Sequence, residues 1–112
     1  MGRLEHQVAD VIIDIEREMR LLGLWEPMSP PLSALGSPHP FCIDTLEFTQ
    51  WLQWVFIPKV KTRLEADDPL PAYSDIRPLA EMVLEDYPED TDRLVALIHR
   101  FDRLVTEAPA RP

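Results

Sequence analysis

At 112 residues, with 46% hydrophobic and 28% charged side chains, the chain has the size and composition of one globular domain around a single core, which excludes an intrinsically disordered segment. Its formal charge of -9 is shared between the halves, 3 basic against 8 acidic groups in residues 1–56 and 8 against 12 in residues 57–112, so generic binding to nucleic acid or an anionic membrane is disfavoured. The lone Cys42 excludes an intrachain disulfide, and with no apolar span of about twenty residues and no signal-peptide pattern the expected location is cytoplasmic.

The first element is an amphipathic helix. Leu4, Val8, Val11, Ile12, Ile15, Met19 and Leu22 recur at steps of three and four and share one face, opposite Glu5, His6, Asp10, Arg17 and Arg20. Gly23 stands where a left-handed residue commonly closes a helix. From Glu26 to Pro40 the chain holds five prolines among serines and Gly36, a composition that breaks both helix and strand. This long connector is expected to run over the bundle surface, anchored by Trp25, Met28, Leu32 and Leu35.

The segment Pro40 to Pro58 carries five of the nine aromatic side chains and predicts the helix that organises the core. Asp44 or Thr45 is its expected cap, with Asp44 and Glu47 at capping-box spacing, and Phe48, Trp51, Leu52, Val55 and Phe56 form its buried face. Pro58 sits inside a pattern that resumes at Val60 and Leu64, so the helix should kink or split there. Asp67 to Pro71 reads as a turn. A short helix follows, with Pro78 in its first turn and Leu79, Met82 and Val83 as its apolar face. Pro88 ends it. Asp90 or Thr91 then caps a last helix striped by Leu94, Leu97, Ile98, Phe101, Leu104 and Val105. With no alternating strand pattern, the expectation is an all-α chain forming a small antiparallel four-helix bundle, one domain over residues 1–108 with a tail at 109–112.

Reactive constellations are sparse. His6 and Asp10 lie four apart on a polar helix face, but two ligands on an exposed helix rarely hold zinc. The acids Glu85, Asp86, Glu89, Asp90 and Asp92 lack a central glycine and are interrupted by Pro88, unlike a calcium loop. His39 and Cys42 could pair as imidazole and thiol, yet nothing nearby would lower the thiol pKa. The three glycines are too scattered for a phosphate loop, and no cofactor or metal is expected.

One surface stands out. Trp54 falls about 100° or more from the centre of the apolar stripe, beside Gln50 and Gln53, with Lys59 and Lys61 past the proline, and a half-exposed indole among such neighbours is the composition of a binding hot spot. Two arrangements are open: the indole faces a partner, or the connector folds over it.

The run PFCIDTLEFTQWLQWVFIPKV, residues 40 to 60, resembles the YqcC-like family of small helical bacterial proteins, through the Pro-Phe start, the Asp-Thr pair, and Trp51, Leu52, Gln53, Trp54, Ile57 and Pro58 in order. Likeness continues through the Pro69 to Pro71 turn into the last helix, while Cys42 falls at a variable position. The resemblance implies a single domain of packed helices whose biochemical function is uncharacterised. It also implies a link to tRNA modification, because family genes lie beside one for a tRNA pseudouridine synthase. Nothing in the chain looks like a synthase catalytic domain. The expected function is therefore a non-enzymatic protein-interaction module, contacting through Gln50, Gln53, Trp54, Lys59 and Lys61 either an RNA-modifying enzyme or a second copy of itself. The rivals are a tRNA-binding accessory using Lys59, Lys61 and Arg63, and a small enzyme or ligand carrier with a pocket near Cys42 and His39.

Overall fold

The computed structural model describes residues 2–108, all of whose regular elements are helical; the tail at 109–112 lies outside the described residues. Helix α1 spans Arg3–Leu21 and buries Val8, Val11, Ile12, Ile15 and Met19, the stripe its periodicity predicts. Each of these side chains is worth roughly 1.5–3 kcal/mol removed from water. Gly23, at φ 74, lets the Leu24 amide reach back to the Met19 carbonyl at 2.9 Å and its own amide reach Arg20 at 3.1 Å, a Schellman ending.

The connector is more structured than its prolines suggest. It contains a one-turn helix α2, Leu32–Leu35, and a 3-10 turn, Pro40–Cys42. Of its four expected anchors, Trp25 and Leu35 are half-buried, but Met28 and Leu32 are 80% and 86% exposed. Asp44 and Thr45 do not cap the next helix. Asp44 accepts the Ser37 hydroxyl and Thr45 donates to the Ala34 carbonyl, so both stitch the connector to itself. The cap residue is Glu47, whose amide donates to Gln50 Oε1 at 2.9 Å.

From there one uninterrupted rod runs through α3, Phe48–Trp51, a π-helical stretch, Leu52–Phe56, and α4, Ile57–Glu65. Of the two outcomes expected at Pro58, a kink or a split, the split does not occur, and the departure from α geometry falls in the turn just before the proline. The wider π turn immediately precedes the proline, where its ring would otherwise press on the carbonyl four residues back. This turn also sets the buried face. Phe48, Leu52, Phe56, Val60 and Leu64 are all buried, yet steps of four in an ideal α-helix would drift about 40° each, roughly 160° over the series. A turn holding an extra residue withdraws much of that drift. For the same reason Ile57 joins the core, while Val55 and Trp51, expected inside, are only half-buried. Beyond α4, Asp67 at φ 56 forms a second Schellman ending, with the Asp68 amide bonded to the Arg63 carbonyl at 2.9 Å.

Helix α5 spans Arg77–Leu84 with Pro78 in its first turn, and α6 spans Asp92–Thr106. The face of α5 differs from expectation: Ile76, Ala80 and Leu84 are buried while Met82 is 63% exposed. Ala80 is fully buried, and α5 packs mainly on α6. Thr91 is the cap residue of α6, but its hydroxyl turns back to the Leu84 carbonyl; Asp90, one residue earlier, accepts the Asp92 amide at 3.1 Å. Helices α1 and α6 run antiparallel, since Glu18 pairs with Arg93 at one end and Leu4 lies beside Leu104 at the other. The rod packs on both through Glu16 with Lys61 and Phe56 with Phe101.

One buried acid ties the last two helices together. Asp102, 6% exposed, projects from the stripe of α6 and accepts the Ile76 amide at 3.0 Å, the Arg77 amide at 2.8 Å and the Ser74 hydroxyl at 2.6 Å. It thus caps α5 from another helix. Pro78, without an amide, leaves fewer free donors in that first turn to satisfy.

Candidate functional site

The π-helical stretch turns Gln53 inward and Trp54 sideways, toward the chain leaving α1. Gln53 is 3% exposed and pairs its amide with the backbone of Glu26, accepting the Glu26 N–H at 2.8 Å and donating to the Glu26 carbonyl at 2.7 Å. The Glu26 carboxylate then accepts from Trp54 Nε1 at 3.3 Å and from Gln50 Nε2 at 3.3 and 3.4 Å. So the connector does fold over this flank, and Gln53 is held inside the fold instead of facing outward. Trp54 stays half-buried, with one side of its ring reachable.

That side opens on a groove of about 540 Å³ whose walls include Trp25, Pro27, Trp54, Pro58 and Lys61. Its rim is ordered by charge. The Arg20 guanidinium sits 4.7 Å over the Trp25 ring and bonds Glu16 through Nε at 3.1 Å, while Lys61 Nζ reaches the same carboxylate at 3.3 Å. Partial burial pushes the Glu16 carboxyl upward, but the bonds and charges of Arg20 and Lys61 outweigh it and hold its pKa below the ordinary range. A group with a depressed folded-state pKa contributes stability above its unfolded value, near 4.3, and loses it as the pH falls through the lower folded value. In a carboxyl-detected NMR titration Glu16 is therefore expected to protonate later on acidification than a free glutamate, and Lys61→Ala to move it back toward the free value. An unshifted Glu16 in the wild type would contradict the bridge.

The basic trio does not form one surface. Lys61 borders the Trp54 groove and is paired, whereas Lys59 and Arg63 lie on the other flank of the rod, with Arg63 Nη1 donating to the Pro69 carbonyl at 3.0 Å. The structure thus brings Gln50, Gln53, Trp54 and Lys61 together and leaves Lys59 apart from them. Around the thiol, Cys42 is buried and points its Sγ at the Leu35 carbonyl, 3.7 Å away. His39 lies 3.8 Å from the Asp44 carboxylate, so thiol and imidazole are engaged elsewhere. Among the described residues no three potential metal ligands converge, and no helix is long and apolar enough to cross a membrane. Sequence reasoning missed Glu26, Arg20 and Asp102; the one available signal was an acid at position 102 inside an otherwise apolar stripe.

Residues 7–104 match the family model described as tRNA pseudouridine synthase C. An uncharacterized protein of Haemophilus influenzae is 34% identical over 95 residues, covering 85% of this chain and 90% of that protein. Uncharacterized protein YqcC of Escherichia coli is 33% identical over 84 residues, covering 74% of this chain and 76% of its own length. Its solution NMR structure superposes with a TM-score of 0.85 at 28% identity, covering 99% of this chain and 95% of that one. A protein named tRNA pseudouridine synthase C from Pectobacterium carotovorum is 39% identical over 67 residues, 60% of this chain, which span only 18% of that longer protein. The chain belongs to the YqcC-like family, in which the all-helical fold is shared.

Proposed function

We propose that this chain is a non-enzymatic module that binds a protein partner in the groove between α1 and the rod, and that the preferred partner is a tRNA-modifying enzyme. The groove carries this reading: two tryptophans and two prolines line a cleft whose framework is already locked by Glu26, so a partner segment meets large apolar surfaces at little ordering cost. Arg20 and Lys61 at the rim are balanced by Glu16 and Glu26, so the groove suits a segment that is apolar and carries little net charge. The choice of enzyme is supported by the Pectobacterium protein, where a stretch like this one makes up 18% of a chain bearing a synthase name. Such a stretch is a minor part of its polypeptide, which suits an accessory acting beside the catalytic portion, and a separate chain of the same family would do so across a noncovalent interface. Both would work in the cytoplasm.

Isothermal titration with a purified tRNA pseudouridine synthase from the same genome tests this. Trp54→Ala is expected to weaken binding about 30-fold, the effect of losing about 2 kcal/mol at a hot spot. Because Trp54 also bonds Glu26, Pro27→Glu serves as the second variant, placing a charge on an exposed groove wall away from the core. No binding by the wild type, or unchanged affinity in both folded variants, would overturn the proposal. Self-association abolished by Pro27→Glu, with no synthase binding, would point to a second copy of the chain and equally sink the choice of partner.

A further inference from the structure

On the opposite flank of the rod lies a second cavity, of about 440 Å³, within the range of small-molecule sites. Its floor is apolar and aromatic: Trp51, Phe56, Val60, Ile76 and Phe101. The rings form a continuous row, with Trp51 stacked on Phe56 at 5.3 Å and Phe56 edge-on to Phe101 at 4.8 Å. Trp51 is half-buried, so part of its ring stays accessible from the cavity. At the mouth stand Lys59 and Arg63, one turn apart on α4, and Tyr73, 67% exposed, on the loop that forms the other lip. Two cations against the single carboxylate of Asp75 make this mouth locally positive in a chain of formal charge -9. Among the described residues no carboxylate pairs with Lys59.

Two features of the backbone are directed to this place. Phe41, another lining residue, is held at φ 58 and followed by Cys42 at φ 49, a conformation costly for residues other than glycine, and its ring meets Trp51 edge-on at 4.8 Å. The π-helical stretch supplies Val55 and Phe56, and insertions of this kind occur often at functional sites.

From the aromatic floor and the cationic mouth we infer that this cavity binds a small ligand consisting of a flat aromatic ring bearing an anionic group, the ring against Trp51 and Tyr73 and the anion between Lys59 and Arg63. A free nucleotide and an aromatic carboxylate share that chemistry. The inference is independent of the Trp54 groove.

The test is a two-dimensional amide NMR titration with four probes: adenosine 5′-monophosphate, adenosine, indole-3-acetate and indole. The anionic member of at least one pair is expected to shift the Val55, Lys59, Arg63 and Ser74 amides saturably, with its neutral counterpart binding about fivefold more weakly, the scale of one exposed charge contact. Whichever pair responds more strongly identifies the source of the ligand. Lys59→Gln and Tyr73→Ala should each weaken binding, and Pro27→Glu should leave it unchanged. No shift at these amides with either anion up to about 10 mM, a concentration that would reveal even millimolar affinity, overturns the inference. Equal binding of charged and neutral rings together with an unaffected Lys59→Gln variant does so as well, since the cavity would then be a mere apolar crevice.

Discussion

Replacing Asp102 by alanine is expected to lower the folding free energy by about 3 kcal/mol, read as a shift in the urea midpoint at constant slope. Three donors lose their acceptor at once; the Ile76 amide is buried and the Arg77 amide partly so. An unsatisfied buried donor costs more than the bond itself was worth. Asp102→Asn should recover only part of the loss, because its NH2 would face one of the donors that a carboxylate oxygen now accepts. Ser74→Ala removes a single bond and should cost about 1 kcal/mol. If Asp102→Ala costs no more than Ser74→Ala, the carboxylate is not what starts α5.

Gln53→Ala is expected to cost about 2 kcal/mol and to shift tryptophan emission to the red. The mutation strips the Glu26 amide and carbonyl of their partner, so the first residues of the connector lift away and expose Trp54, whose Nε1 is bonded to the Glu26 carboxylate. Gln53→Glu should not rescue it. A carboxylate there can accept the Glu26 amide but opposes the Glu26 carbonyl, and it adds a charge close to the Glu26 side chain. Unchanged stability and emission in Gln53→Ala would show that the clamp contributes nothing. This variant also separates two roles, because a Gln53 reserved for a partner would alter binding and leave the free protein as stable as before.

Much of the helical layout is legible in the residues. The stripes of α1 and α6 lie inward as their spacing predicts, and Gly23 closes α1 with the left-handed turn expected of it. The rod is the instructive case. Pro58 reads as a breaker, but the stricter signal is the four-residue series Phe48, Leu52, Phe56, Val60, Leu64, too slow for an α-helix and well suited to one wide turn. Asp102 gives little warning in the residues, because helical acids are common and a place in the apolar stripe is the one mark of its burial.

The candidate site was half visible. Trp54 groups with Gln50 and Gln53 by helical spacing alone, but their partner Glu26 stands 24 to 28 residues earlier, across a proline-rich connector. The spacing of apolar residues decides which face of each helix leaves water, since that choice depends on neighbours three or four positions away. Whether a polar side chain faces a partner or a strand of its own chain depends instead on where a long loop comes to rest, and that is settled by contacts between segments far apart in the chain. Hence the residues alone disclosed the helices and their dry faces, while the packed molecule assigned Gln53 to the interior, divided Lys59 from Lys61, and opened a cleft on each side of the rod.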